Sequence, residues 1–354
     1  MVFGMRGMEY DALSIIEARP FGHSADADWK DIRLIYRSVN EIIHDDVFLE
    51  LADFLPGSDV FLKIEGLNPA GSIKFKAALN LVEQAEEEGS LVPGTSRVIE
   101  SSSGNLGVAL GIVCAIKGYP LTIVADVNTV ESAVLAMEAL GADVVIIEEP
   151  DANGGFLHKR LAFVGDMLKA DPHLVWLNQY KSRANVEAHK DTTARSIDRE
   201  LGPIDYLFVG VGTSGTLMGC LEYRRENRLS HRVVGVDAEG SITFGGSSKR
   251  RYVPGLGASR LPEIYSDDGS FHKVLIPENE SVSLCHHAAR AYGLLVGGST
   301  GTVLAAVRRM RDEIPRGSRV VAISPDLGDK YLSTIYSEQW LNAHPTLTKE
   351  HSNV

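Results

Sequence analysis

Short apolar runs alternate with amphipathic stretches along the chain from about residue 60 onward. The apolar runs predict strands at Val60–Glu65, Val98–Glu100, Leu121–Ala125, Asp143–Ile147, Tyr206–Val211, Val233–Asp237 and Val320–Ser324. The stretches between them predict helices at Lys74–Glu88, Gly104–Lys117, Thr129–Leu140, Phe156–Lys169, Ala184–Leu201, Thr216–Arg225, Ser281–Gly293 and Gly301–Glu313. Apolar strands that alternate with helices are typical of parallel sheets covered on both faces. The pattern therefore predicts an α/β protein.

The length of 354 residues exceeds the size at which one hydrophobic core usually stops growing, so two domains are expected. Residues 1–40 are irregular in pattern and receive no role. We predict an N-terminal α/β domain over residues 41–182, whose first part can cross to the other domain, and a C-terminal α/β domain over residues 183–354. A ligand is expected between them, at the carboxyl ends of the strands.

The formal net charge of −12 disfavours nucleic acid and anionic lipid as partners. No apolar run is long enough to span a bilayer, and the first twenty residues do not have the pattern of a signal peptide. The cysteines Cys114, Cys220 and Cys285 are sparse and widely spaced, which favours a reducing cytoplasm and indicates neither disulfides nor a metal site.

A glycine-rich segment, Gly210–Thr216, follows a predicted strand and opens a predicted helix. Free backbone amides at a helix N-terminus favour a phosphate group, and the hydroxyls of this segment can add donors. The same glycines satisfy the dinucleotide pattern G-x-G-x-x-G, and Asp237 ends the next predicted strand, where a ribose-binding acid is expected. An NAD-dependent dehydrogenase therefore stays open at this point.

A lysine, Lys74, begins the helix that follows the turn at Pro69 and Gly71. A positive charge is unfavourable in the first turn of a helix, because it meets the positive end of the helix dipole. The cost falls if the amine is neutral or covalently bound. An ordinary surface lysine is the simpler alternative.

At these residues the sequence resembles the fold-type II pyridoxal-phosphate enzymes, specifically the cysteine synthase and cystathionine β-synthase family. The segment Asn68–Lys74 resembles the cofactor-lysine motif, and Glu100–Gly107 resembles the loop that binds the substrate carboxylate. The segment Gly212–Thr216 resembles the phosphate cradle, and Gly298–Gly301 resembles the segment that meets the pyridine nitrogen. These motifs occur in the family's order over roughly residues 43 to 335.

The resemblance implies a two-domain fold of the tryptophan synthase β type, a homodimer, and pyridoxal 5′-phosphate held by Lys74 as a Schiff base. It implies that the remaining cofactor contacts come from Asn105 at the phenolic oxygen, Ser299 at the ring nitrogen, and the phosphate loop Gly212, Thr213, Ser214, Gly215 and Thr216. Ser102 and Ser103 are implied to receive the substrate carboxylate. A serine at the ring nitrogen implies an unprotonated ring, which suits β-replacement better than transamination.

Several positions depart from the sulfhydrylase pattern. His44–Val47 replaces the early glycine-asparagine-threonine-proline signature, and Leu106 replaces a threonine. Tyr180 follows Gln179, where sulfhydrylases often have phenylalanine. With these departures the sequence is more similar to the branch that makes N-(2-amino-2-carboxyethyl)-L-glutamate, a precursor of 2,3-diaminopropionate for siderophores and peptide antibiotics.

That branch condenses O-phosphoserine with glutamate, so two anionic substrates require local cations. We predict that Arg260 binds the phosphate group and that Arg160 and Tyr180 bind the glutamate carboxylates. Gln179 is also predicted to bind substrate. Three alternatives stay open: a cysteine synthase or cystathionine β-synthase on the same fold, the NAD-dependent dehydrogenase, and a non-catalytic ligand sensor.

Overall fold

Two sheets organise the described part of the chain, which comprises residues 35–151 and 155–348 of a computed structural model. Residues from Ser38 onward form one compact unit. In chain order its strands are β1 (Phe48–Glu50), β2 (Asp59–Ile64), β3 (Arg97–Ser101), β4 (Leu121–Asp126), β5 (Asp143–Ile147), β6 (Leu174–Trp176), β7 (Tyr206–Gly210), β8 (Arg232–Ala238), β9 (His272–Ile276) and β10 (Arg319–Ser324).

The larger sheet has the order β1-β2-β10-β7-β8-β9, and the smaller one has the order β5-β4-β3-β6. The pair β1 and β2 is antiparallel, and every other pairing of these strands is parallel. Apolar side chains are buried on both faces of the central strands; β7, for example, is buried from Tyr206 to Val209. The predicted fold class, parallel sheets flanked by helices, is confirmed.

Helices cover both sheets. Their bounds are α1 (Lys74–Glu87), α2 (Asn105–Lys117), α3 (Glu131–Ala139), α4 (Leu157–Ala170), α5 (Ala184–Ala188), α6 (Arg195–Leu201), α7 (Gly215–Glu226), α8 (Glu278–Tyr292), α9 (Gly298–Arg309) and α10 (Glu338–Ala343). Helices α2 and α4 pack on β3 and β4 of the smaller sheet, whereas α7 and α9 pack on β7 of the larger one. In the described residues no helix is long and apolar enough to cross a membrane.

The structure adds strands β1, β6 and β9, which the apolar pattern does not reveal. All three are short, and β1 and β9 are edge strands with exposed or half-buried positions. Short edge strands carry too few apolar residues to stand out in sequence.

One predicted helix is interrupted. Residues 184–201 form α5, a π-helical turn at His189–Ala194, and then α6. A wide turn of this kind inserts an extra residue into the helix and often marks a functional position. Here it points Thr193 at the Lys76 ammonium, with 3.3 Å between Oγ1 and Nζ.

The first two strands belong to the larger sheet, because β2 lies parallel to β10. The start of the segment 41–182 is therefore built into the sheet that also contains β7 to β10. The limits 41–182 and 183–354 stay a prediction. Most of the segment 1–40 lies outside the described residues.

Candidate active site

A cleft of about 940 Å³ opens where the parallel strands end. Its lining residues follow the carboxyl ends of β2, β3, β7 and β10, and they include Lys74, Asn105, Ser214, Ser299 and Asp326. Parallel α/β sheets place ligands at this edge, and the volume lies in the usual range of ligand pockets. The sequence predicts the same edge of the sheet.

The turn before Lys74 is held by one asparagine. The Asn68 side-chain amide donates to the carbonyl oxygens of Glu65 and Ser72, both at 2.9 Å, and its oxygen accepts from the Ala70 backbone at 3.1 Å. The Ile73 backbone then donates to the Pro325 carbonyl at 2.7 Å. These bonds fix the turn against the end of β10, so Lys74 enters the cleft from a rigid backbone.

Burial lowers the pKa of Lys74 to about 8, although the nearby Asp326 carboxylate raises it in part. An amine with this pKa is neutral in a useful fraction of molecules near neutral pH, as a nucleophile and base require. Among the described residues the lysines that line the cleft are Lys74 and the exposed Lys249. Lys74 is therefore the buried candidate for a covalent link.

The loop after β3 lies on one side of the cleft. The Ser102 hydroxyl accepts from the backbone of Gly107 at 3.0 Å and of Gly104 at 3.4 Å, and so it caps α2. Its own proton stays available toward the cleft. Ser103 is exposed and also lines the cleft. The free amides at the start of α2 favour an anion such as a carboxylate.

The phosphate-type loop lies at the start of α7. Ser214 has a positive φ of 72°, and its buried hydroxyl oxygen has no hydrogen-bond partner in the described residues. The Asn185 side chain supports the loop, because its Nδ2 donates to Thr213 Oγ1 at 3.0 Å and to the Gln179 carbonyl at 2.8 Å. Sequence reasoning did not identify Asn185. A buried unpaired hydroxyl beside helix amides can bind a phosphate oxygen.

Gly215→Ala is expected to weaken cofactor binding at least tenfold with little loss of fold. A Cβ atom at Gly215 would lie 2.5 Å from Asn185 Cγ, so Asn185 must move and release Thr213. The dissociation constant of the cofactor, followed by absorbance, measures the effect. The control is Gly165→Ala in α4, where an added Cβ meets nothing within 4 Å. An unchanged dissociation constant in Gly215→Ala would contradict this account of the loop.

Asn105 and Ser299 meet at one carboxylate. Asn105 Nδ2 donates to Asp326 Oδ2 at 2.7 Å, and Ser299 Oγ donates to Asp326 Oδ1 at 3.4 Å. Tyr331 OH also donates to Oδ2, at 2.5 Å. Sequence reasoning missed Asp326, since a lone aspartate after a strand carries no motif of its own.

Helix α4 contributes a buried cation, Arg160, to the lining of the cleft. Arg160 is 8% exposed, and its Nε lies 3.5 Å from Asp126 Oδ2. Its Nε and Nη1 have no hydrogen-bond partner in the described residues. Tyr180 lines the same cleft, and burial raises its pKa. A buried guanidinium with spare donors is suited to a carboxylate ligand.

Arg260 is not among the residues that line the cleft, although its charge acts on the cleft-lining Tyr180 and opposes the rise in the pKa of that residue. Its side chain is 45% exposed and lies 3.3 Å from Glu263. Besides Lys74 and Arg160, the described lysines and arginines that line the cleft are Lys249, Arg250 and Arg251. These three consecutive residues were not singled out in the sequence, where a basic run usually indicates a solvated surface. Gln179 lines the cleft and is buried, and its Nε2 donates to the Ser101 carbonyl at 3.4 Å.

Behind Lys74 lies a buried cluster of charges, here called the lysine–carboxylate cluster: Asp45, Lys63, Glu65 and Lys76. Lys63 Nζ lies 3.1 Å from Asp45 Oδ1 and 3.3 Å from Glu65 Oε1. Lys76 Nζ lies 2.7 Å from Glu65 Oε2 and also contacts Asp45. Burial would raise the pKa of Glu65, but the charges of Lys76 and Lys63 outweigh it and the pKa is lowered. The His44–Val47 departure thus supplies a carboxylate that pairs with both lysines.

Asp237 does not act as a ribose-binding acid in this geometry. It is fully buried and does not line the cleft, and its Oδ1 accepts from the Ala238 backbone at 2.7 Å. The glycine-rich loop therefore lacks the partner that a dinucleotide requires.

Known proteins resemble this chain in sequence and in fold. The model of the family "Pyridoxal-phosphate dependent enzyme" matches residues 49–326. The N-(2-amino-2-carboxyethyl)-L-glutamate synthase of Ralstonia nicotianae is 38% identical over 314 residues, covering 87% of this chain and 92% of the relative.

Two solved structures share the fold. The cysteine synthase of Entamoeba histolytica has a TM-score of 0.79 at 28% identity, covering 90% of this chain and 97% of its own. The O-acetylserine-dependent cystathionine β-synthase of Helicobacter pylori has a TM-score of 0.79 at 27% identity, covering 86% of this chain and 100% of its own. These similarities confirm the resemblance that the motifs predict.

The residues of the cleft fit pyridoxal phosphate, the cofactor of this family. A buried amine of lowered pKa can bind its aldehyde, and the unpaired Ser214 hydroxyl at the start of α7 can bind its phosphate. Asp237, by contrast, does not fit a dinucleotide. With a family match over most of its length, the chain belongs to the pyridoxal-phosphate-dependent enzymes, and its cofactor is pyridoxal 5′-phosphate.

Proposed function

We propose that this enzyme condenses O-phospho-L-serine with L-glutamate to give N-(2-amino-2-carboxyethyl)-L-glutamate and phosphate. The observation that carries the proposal is the 38% identity to the synthase of that name over 87% of the chain. The similarity to the solved cysteine and cystathionine synthases is lower, at 28% and 27% identity. The unpaired buried donors of Arg160 agree with an anionic second substrate, which hydrosulfide does not require.

The reaction exchanges one bond at the β-carbon of phosphoserine. The bond from Cβ to the phosphate oxygen breaks, and the oxygen keeps its electron pair and leaves as inorganic phosphate. The glutamate amine then forms the new bond from nitrogen to Cβ and loses a proton. Bound pyridoxal phosphate supplies the electron-withdrawing group that acidifies the α-carbon.

The chain's own residues are proposed to transfer the protons and to bind the substrate and the cofactor. Lys74 would be the residue that holds the cofactor, and its amine is proposed to take the α-proton and later to return a proton to the same carbon. Ser102, Ser103 and the amides at the start of α2 hold the α-carboxylate of phosphoserine. Thr213, Ser214 and Thr216, with the glycines Gly212 and Gly215, hold the cofactor phosphate. Asn105 and Ser299 orient the cofactor ring, at its phenolic oxygen and its nitrogen.

Arg160, with Tyr180 and Gln179 nearby, is proposed to bind a carboxylate of glutamate. The binding of the phosphate group by Arg260 stays a prediction. The exposed position of Arg260 beside Glu263 does not support this role. Lys249 and Arg250 line the cleft and are further candidate cations for an anionic substrate.

The test of the function is the mass of the product formed from O-phosphoserine in an equimolar mixture of glutamate, other amino acids, homocysteine and sulfide. The glutamate adduct, together with stoichiometric phosphate, is expected to dominate. Faster formation of cysteine or cystathionine would contradict the proposal and assign the enzyme to the sulfur-using members of the family. Binding of the cofactor and of phosphoserine without any product would support the non-catalytic ligand sensor instead.

Arg160→Gln is expected to raise the KM for glutamate about 10- to 100-fold, because one buried charge-assisted contact of about 1.5–3 kcal/mol is lost. The KM for phosphoserine should change little, since Arg160 serves the second substrate alone. Lys159→Gln is the matched control, because this neighbouring lysine is exposed and lies 3.8 Å from Glu149. Equal losses for both substrates would contradict the assignment.

Three further features complete the proposal. The enzyme is a homodimer in the cytoplasm, and its product supplies 2,3-diaminopropionate for a siderophore or a peptide antibiotic. The family resemblance supports the dimer and the product's destination, and the sparse, widely spaced cysteines support the cytoplasm. Light scattering of the purified holoenzyme distinguishes a dimer from a monomer of 38.4 kDa.

A further inference from the structure

Glu100 is a buried carboxyl group to which the proposed reaction gives no role. It is the penultimate residue of β3, two positions before Ser102, and it is 0% exposed. A buried carboxyl group is costly unless it is hydrogen-bonded, and one that lies beside a cleft is a candidate for a functional role. Its contacts indicate which part of the cleft it serves.

One oxygen of Glu100 joins β3 to the neighbouring strand β6. Glu100 Oε1 accepts from Trp176 Nε1 at 3.0 Å and from the Ser101 backbone amide at 2.9 Å. Trp176 is the last residue of β6, and it is also the last residue of that strand to pair with β3, where it lies opposite Ile99. The bond from Trp176 therefore fixes the point at which the chain leaves the smaller sheet.

The chain beyond β6, here called the 178–180 segment, carries two residues of the cleft. Asn178 has a positive φ of 49°, and Gln179 and Tyr180 then line the cleft. Because the parallel ladder has ended, the polar groups of this segment need partners other than a strand. Gln179 Nε2, for example, donates to the Ser101 carbonyl at 3.4 Å. The position of the segment therefore depends on side-chain contacts with the end of β3.

The carboxyl group of Glu100 and the 178–180 segment also interact electrostatically. Burial raises the pKa of Glu100 to about 7, whereas hydrogen bonds from Trp176 and from nearby backbone amides lower it. The amides of Gln179 and Asn178 are among these, although neither makes a close bond to Oε2, which has no hydrogen-bond partner in the described residues. Burial raises the pKa of Tyr180, and the charge of Glu100 raises it further. Glu100 thus acts on all three residues of the segment.

The loop on the phosphoserine side of the cleft has its own supports. The Ser102 hydroxyl accepts from the Gly107 backbone at 3.0 Å, and the Ser102 backbone donates to the Val124 carbonyl at 3.1 Å. These bonds join the loop to α2 and β4 rather than to β6. Loss of the bond between Glu100 and Trp176 is therefore expected to loosen only the side that carries the 178–180 segment.

We propose that Glu100 is a positioning residue that acts through Trp176 to hold the 178–180 segment in place at the cleft. Glu100 contacts no substrate in this role. Its consequence for the second substrate rests on the proposed function, in which Gln179 and Tyr180 lie at the glutamate subsite. The bond between Glu100 and Trp176 would then determine how well that subsite is formed before glutamate binds.

The first test is hydrogen–deuterium exchange of the holoenzyme without substrates, measured on the peptide that covers residues 177–180. Trp176→Phe removes the donor and is expected to speed exchange in this peptide at least about fivefold, because a buried hydrogen bond is lost. Glu100→Leu should have the same effect, whereas Glu100→Gln retains an acceptor and should exchange like the wild type. A variant with both Trp176→Phe and Glu100→Leu should exchange no faster than either single variant, because both remove the same interaction.

Two controls accompany this measurement. The peptide that covers residues 102–107 is expected to keep its wild-type exchange in every variant. Glu138→Gln changes an exposed carboxylate on α3 and should leave both peptides unchanged. Unchanged exchange of the 177–180 peptide in Trp176→Phe would overturn the proposal, as would additive effects in the double variant or equally fast exchange in Glu100→Gln and Glu100→Leu. Trp176→Phe decides the question alone if Glu100→Leu does not fold.

The second test compares the KM values of the two substrates. Trp176→Phe is expected to raise the KM for glutamate at least about fivefold and to leave the KM for phosphoserine within about twofold of the wild type. Equal rises in both values would overturn the assignment to the second substrate's side. Because exchange is measured without substrates, a second substrate other than glutamate would contradict the proposed function and leave the exchange result standing.

Discussion

Lys74→Ala is expected to abolish the visible absorption band of the purified enzyme together with its turnover. The variant lacks the buried amine that binds the cofactor aldehyde, and it lacks the base at the substrate α-carbon. Loss of proton transfer alone lowers kcat by roughly 10²–10⁴-fold. Absorbance of the holoenzyme and the rate of phosphate release from phosphoserine measure the two effects separately.

The matched control is Lys249→Ala. Lys249 lines the same cleft but is exposed on a loop, so its loss should leave the visible band intact. A band that survives in Lys74→Ala and disappears in Lys249→Ala would show that Lys249 carries the covalent link and would contradict the assignment of Lys74.

Lys76→Met is expected to lower the free energy of unfolding by about 3–5 kcal/mol, because removing one partner of a buried ion pair leaves an uncompensated charge. Lys76 is 3% exposed and pairs with Glu65 and Asp45. After the change, Lys63 alone faces both carboxylates. Urea unfolding of the holoenzyme, followed by fluorescence, measures the loss.

Lys169→Met is the control for this prediction. Lys169 lies 2.8 Å from Asp166, but its side chain is 79% exposed. Exposed pairs contribute about 0–1 kcal/mol. Equal destabilisation by the two substitutions would mean that the lysine–carboxylate cluster adds nothing beyond a surface pair.

The long buried strands and the main motifs could be predicted from the sequence, since both carry local signals. The run Tyr206–Val209 is apolar throughout, and the loop after it combines glycines with hydroxyls. The order of the strands could not be predicted. That β2 lies beside β10 depends on pairing between residues more than 250 positions apart, and no local pattern encodes it.

The supporting residues of the site were missed for the same reason. Asp326 and Asp45 act through contacts with distant segments; Asn105 Nδ2, for example, reaches Asp326 across 221 positions. Asn185 acts through Thr213, which lies 28 positions away and beyond an intervening strand. The π-helical turn at His189–Ala194 was also invisible, because its sequence has the same helical pattern as its neighbours. Arg260 shows the limit of proximity in sequence: its neighbour Ser259 lines the cleft, whereas the Arg260 side chain pairs with Glu263, and its role stays a prediction.

Borohydride reduction of the holoenzyme followed by peptide mapping tests most directly which residue carries the cofactor. We predict a single reduced adduct on the peptide that contains Lys74. An adduct on Lys249 or another lysine, or the absence of any adduct, would contradict this account of the active site.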